Sequence, residues 1–204
     1  TAIVPLNVPD RWVRGLQGVA LPDAGLIVEA LPDSPRGGSD PHAPALWANA
    51  RRVRTWRGKL LFTHFGLSGP LALNAAADIR ELAQTSPIRL LINPLPGTDP
   101  AALSRSITSA VASAGTRTIG SFLRSAILPR LAGPVCALAD VDENERLATL
   151  TRAARQRIVS RATGMPCAFG GLMGSDKAVV SSGGVHPAAV DFRTMRLREI
   201  PNLY

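Results

Sequence analysis

At 204 residues and 46% hydrophobic content, the chain can bury a substantial core in one large domain or two small ones. No apolar run approaches the roughly 20 residues of a membrane-spanning helix. The opening TAIVPLNVPDRW has no basic segment leading into a long apolar one, so a soluble cytoplasmic protein is expected. The net charge is +8, but the basic residues are dispersed arginines apart from Lys59 and Lys177, and aromatics are only 4%. Stacking platforms for a nucleic-acid strand are therefore scarce.

In chain order, Ala2 to Leu6 is a short apolar run. Leu16 to Leu21 and Leu26 to Ala30 read as two strands, with Pro22-Asp23-Ala24-Gly25 as hairpin-turn chemistry between them. Residues 32–45 are a polar Pro/Gly loop, expected to be mobile. Arg51 to Arg57 alternates arginine with other residues and reads as a solvated strand face; an anionic cofactor is the other reading for Arg51 and Arg54. Gly58 punctuates, and Lys59 to Thr63 reads as a strand. Leu71, Ala75, Ile79 and Leu82 recur at helical spacing, which predicts a helix over Pro70 to Leu82. Ile88 to Ile92 is a further strand.

The character then changes. Asp99 and Pro100 are a helix start, and Leu103, Ile107 and Val111 are its apolar stripe. Thr118 to Leu128 is a second helix, interrupted by Pro129 and ended by Gly133-Pro134. Asn144 to Ala162 is the longest helical candidate. Beyond it, Ala168 to Met173 and Lys177 to Ser181 read as strands able to pair. The fold class is α+β: a β-barrel-like framework with an inserted small helical bundle. The expected division is a β framework at 1–96 and 166–185, and a helical subdomain at 97–165. Residues 186–204 form a closing segment.

Few motifs carry chemistry. Cys136 and Cys167 have no CxxC spacing and no histidine partners, so buried thiols are expected and no metal site. Neither G-x-G-x-x-G nor G-x-x-x-x-G-K occurs, so the backbone cradle for a dinucleotide's diphosphate is missing. Gly66-Leu67-Ser68-Gly69 lacks the second glycine of a nucleophile elbow, because Pro70 stands there. Ser68 reads better as a helix cap ahead of Pro70. Thr63, His64 and Phe65 then lie at a strand end beside a helix N-terminus. Gly183 and Gly184 follow an apolar run, as a plain turn or as a place of close backbone approach to a ligand.

Together, several segments resemble the BaiN/RdsA-type family of bacterial NAD(P)/FAD-dependent oxidoreductases. They are Val4-Pro5-Leu6, Leu16 to Val19, Gly58 to Pro70, Val180 to Val185, Thr194-Met195, and Ile200 to Tyr204. The Gly58 to Pro70 motif and the Gly-Gly-Val segment are the most specific. The resemblance spans nearly the whole chain, in pattern more than identity over 97–165.

The resemblance implies an insert domain, barrel-like with a small helical bundle, that shapes the cleft over the isoalloxazine of FAD. It implies that Thr63, His64, Phe65 and Gly66 face the flavin or substrate, and that Gly183 and Gly184 let the backbone approach the cofactor. FAD then belongs to the intact protein, with NADH or NADPH as reductant, and the chief partner is the FAD-binding domain of the same gene product, to which 186–204 leads back. The missing initiator Met and the apolar Leu-Tyr end fit a piece of a longer protein. Alone, the chain is expected to hold FAD weakly and not to catalyse. Two readings from other classes are a basic module for RNA or another polyanion, and a serine hydrolase using Ser68 with His186 as base.

Overall fold

The computed structural model describes residues 2–31, 40–43, 45–113, 115–181, 184–200 and 202–203. The chain opens with β1 (Ala2–Ile3), β2 (Leu6–Asn7) and a one-turn helix α1 (Arg11–Gly15). Next come the long strands β3 (Ala20–Ala30) and β4 (Arg51–Thr63), then the short β5 (Gly66–Ser68). Helix α2 (Gly69–Thr85) leads to β6 (Ile88–Asn93). Helices α3 (Pro100–Ala112), α4 (Ile119–Ala126), α5 (Ala132–Leu138) and α6 (Arg152–Thr163) precede β7 (Met165–Ala168). The two-residue strands β8 (Val180–Ser181), β9 (Val190–Asp191) and β10 (Arg196–Leu197) close the described chain.

Six strands form one antiparallel sheet in the order β2-β5-β4-β3-β6-β7, curled into a half-barrel. The curl brings edge strand β2 to the chain just beyond the opposite edge, β7. Asn7 N–H donates to the Gly171 carbonyl at 2.9 Å, and Gly170 N–H donates to the Asn7 carbonyl at 2.9 Å. At the centre, Leu26, Ile27 and Val28 are buried in succession, so both faces of β3 are covered. Helix α2 lays Leu71, Ala72, Ala75, Ala76 and Ile79 on the sheet. Ile107, Leu123, Val135 and Ile158 carry the same apolar cluster into α3–α6. The α+β reading therefore holds, with six α-helices among the described residues.

Local chemistry overrides several expectations. Pro22 and Asp23 make no turn: β3 runs through them, and a bulge absorbs both between the pairs Leu21↔Leu60 and Ala24↔Gly58. Gly58 likewise lies inside β4. Gly133-Pro134 does not end a helix but falls in the first turn of α5, where a missing N–H costs nothing. The candidate helix from Asn144 starts only at Arg152, because Thr151 caps it by accepting from Ala154 N–H at 3.1 Å. The expected pair of late strands does not form: of Ala168 to Met173 only Ala168 lies in a strand, as the end of β7 paired with β6, Leu172 bridges Leu6, and β8 pairs with β1 through Ala2↔Ser181 and Ile3↔Val180.

Of the predicted 32–45 loop, residues 32–39 and 44 lie outside the described residues. The part that follows is tied to the sheet. Trp47 donates its indole N–H to the Asp40 carbonyl at 2.9 Å. Arg89 of β6 stacks over Trp47, donates to the Pro41 carbonyl at 3.0 Å, and pairs with buried Glu29 at 2.7 Å.

Candidate functional site

Two regions carry the polar geometry. The first is the turn between β4 and β5. Thr63 Oγ1 accepts from Gly66 N–H and donates to the Gly66 carbonyl, both at 3.1 Å, which locks the turn. Val8 N–H donates to the Phe65 carbonyl at 3.0 Å. Gly66 has φ +145°, and a Cβ there would lie 2.4 Å from both Leu6 O and Val8 N. Its glycine is required by the close approach of the β2 backbone that pairs with it. His64 is exposed and meets Phe65 edge-on, with centroids 4.9 Å apart.

Ser68 occupies the cap position of α2, yet its hydroxyl makes no cap hydrogen bond. Pro70 has removed one of the N–H groups a cap would serve, and Ser68 is held instead by pairing with Leu61. None of the histidines is hydrogen-bonded to it: His42 binds Asp10, His64 rests on Phe65, and His186 Nδ1 accepts from Ala188 N–H. A serine–histidine nucleophile is therefore not assembled.

Gly184 has φ +124°, with nothing within 4 Å of the position a Cβ would take. Gly183 lies outside the described residues. The structure does not join Gly184 to the Thr63–Gly66 turn by any hydrogen bond or ring contact among the described residues. Both segments instead border the N-terminal stretch, where β1 pairs with β8 and β2 pairs with β5. Of the two arginines considered for an anionic cofactor, Arg54 is paired with Asp78 of α2 and Arg51 is exposed.

A match to known proteins decides the family. The family model described as HI0933-like protein barrel and H2TH domain covers residues 1–180. The chain belongs to the HI0933-like flavoprotein family. No curated protein matches the sequence. The HI0933-like family is associated with FAD-binding proteins of the oxidoreductase type. The open space at Gly184 and the exposed His64 beside half-buried Phe65 are compatible with a planar ring, whereas neither G-x-G-x-x-G nor G-x-x-x-x-G-K occurs to grip a diphosphate. No helix among the described residues is long and apolar enough to cross a membrane. No group of three or more metal-ligating side chains is found among them either.

The second region was missed by sequence reasoning. Asp10 stands before α1 as a cap residue, but its carboxylate turns elsewhere. Oδ1 lies 2.5 Å from His42 Nε2, and Oδ2 accepts from Ala168 N–H of β7 at 2.8 Å. These groups border a pocket of about 540 Å³ between the sheet, α5 and α6. Trp12, Ala137, Leu138 and Pro166 give it apolar walls, and Arg11 and Arg161 bring charge. No local motif announces it, because its parts come from segments up to 156 positions apart (Asp10 and Pro166).

Proposed function

We propose that this chain is the insert domain of a BaiN/RdsA-type FAD-dependent oxidoreductase, covering the isoalloxazine and shaping the substrate cleft. FAD would supply the redox chemistry, accepting hydride from NADH or NADPH. On this chain, Thr63 and Gly66 set the turn that presents His64 and Phe65 to the ring, and the Gly183-Gly184 pair is where the cofactor would approach, with open space at Gly184. A missing FAD-binding domain of the same gene product is the partner.

One observation carries this reading. Large apolar side chains lie exposed along the segment that holds the Gly-Gly-Val motif. Val185, Phe192, Met195, Ile200 and Leu203 are each about half exposed or more, Phe192 reaching 68%. Exposed apolar side chains gathered on one short segment support a surface that a partner covers. It lies on the segment expected to lead back to the FAD-binding domain.

The test is FAD titration of the intact protein carrying Gly184→Val. A branched side chain at φ +124° would intrude on the ring's approach, so at least tenfold weaker FAD binding and an altered flavin spectrum are expected. Unchanged affinity and spectrum would overturn the assignment of Gly184. A yellow, flavin-loaded preparation of the 204 residues alone would overturn the insert-domain reading itself.

A further inference from the structure

We propose that the pocket between α1, α5 and α6 binds a second small molecule, an amphipathic carboxylate with an apolar body. It shares no residue with the Thr63–Gly66 turn or the Gly-Gly-Val segment, so it stands apart from the flavin reading.

Three observations converge. First, the shape is that of a ligand cleft. About 540 Å³ lies within the range of small-molecule sites, and the walls combine apolar side chains with a few polar ones.

Second, the charge is uncompensated. Neither Arg11 nor Arg161 forms an ion pair among the described residues. Arg161 is half-buried, and its Nε donates to the Leu138 carbonyl at the end of α5 at 3.2 Å. Burial, and then the nearby Arg89, push its guanidinium below the usual value. Arg89 is itself neutralised by Glu29, so it gives Arg161 no acid. The one carboxylate facing the pocket, Asp10, is 5% exposed and has both oxygens engaged. Two guanidiniums outweigh it whether or not His42 is protonated. A half-buried cation of this kind is stabilised by an anion with fork geometry, which a carboxylate provides.

Third, two lining residues hold polar atoms out of water without a partner: Trp12 Nε1 and His42 Nδ1. Buried polar atoms are otherwise almost always bonded. Two orphans on one pocket mark a place where a polar ligand edge, reached by small ring rotations, completes the bonding.

Arg161 also has a structural duty, since it and Arg157 hold the carbonyls that end α5. The experiment separates the two roles. The full chain is titrated calorimetrically at low salt with 1-pyrenebutyrate and with uncharged 1-pyrenebutanol. The acid is expected to bind at least tenfold more tightly than the alcohol. Arg161→Gln should remove that preference while leaving the alcohol's affinity unchanged, and Ala137→Trp should weaken both by filling the apolar side. Arg80→Gln, the same charge change on α2, should leave the preference intact. Equal affinities for acid and alcohol in the unaltered chain would overturn the proposal. So would a preference that survives Arg161→Gln or is lost equally in Arg80→Gln. If Arg161→Gln fails to fold by circular dichroism, the exposed Arg11→Gln takes its place, with a preference at least threefold smaller expected and an undiminished one refuting the site.

Discussion

Gly66 stands where two paired backbones press together. Its φ is +145°, and Leu6 O and Val8 N occupy the space a side chain would need. Gly66→Ala therefore meets both a steric and a conformational penalty. A loss of about 3 kcal/mol is expected, read from the urea midpoint at unchanged m-value. A loss under about 1 kcal/mol would mean that β2 shifts freely at this point. Gly184 is the opposite case, equally left-handed but bordered by open space. The same residue type is thus demanded inside the fold at one site and leaves room outside it at the other. Sequence alone did not separate the two, because a glycine codes for conformational freedom and not for what lies next to it.

Among elements, the helix starts show how legible this fold was. Asp99, Thr118 and Thr151 each accept from a backbone N–H in the first turn, at 3.0, 3.2 and 3.1 Å. Asp99 is legible as a cap; Thr118 reads from the sequence as the first helical residue and is the cap itself, and Thr151 is hidden because the polar stretch before it looks helical. Ser68 has the right residue type in the right place but makes no such bond. Thr151→Ala should accordingly cost about 1 kcal/mol, and Ser68→Ala no more than about 0.3 kcal/mol. Thermal unfolding of both variants checks this, and equal losses would show that the Ser68 hydroxyl serves the helix after all. The strands were less legible. The Pro22-Asp23 bulge reads as a turn in one dimension, and the pairing of β8 with β1 spans almost the whole chain. The Thr63–Gly66 turn was accessible through its motif. The Asp10–His42 pocket was not, because nothing in the sequence singles out Asp10, and His42 reads as a loop residue until folding joins them.

For the molecule as a whole, the buried thiols set an alkaline limit. Burial pushes the Cys136 thiol up to about 11, helped by the Glu143 carboxylate, and raises Cys167 well above its ordinary value. In the unfolded chain both titrate near the ordinary 9.0. As pH rises past that value, the unfolded state loses protons that the folded state keeps. Stability is therefore complete below about pH 9 and falls through about pH 11. Urea midpoints across that window should decline in the natural chain and decline less in Cys136→Ala/Cys167→Ala. An identical decline in both would assign the loss to other groups. Both thiols should also resist a disulfide reagent until the chain is unfolded, since neither is accessible in the fold.

The pairing of β1 with β8 has a geometric corollary. Ala2 lies opposite Ser181, so the two ends of this 180-residue stretch lie side by side. A module wired in that manner can be spliced into a surface turn of another protein without prising its neighbours apart, since the host must bridge only one interstrand spacing, about 5 Å. Under the proposed insert role, its interior could mutate, lengthen or exchange helices while the socket stayed the same.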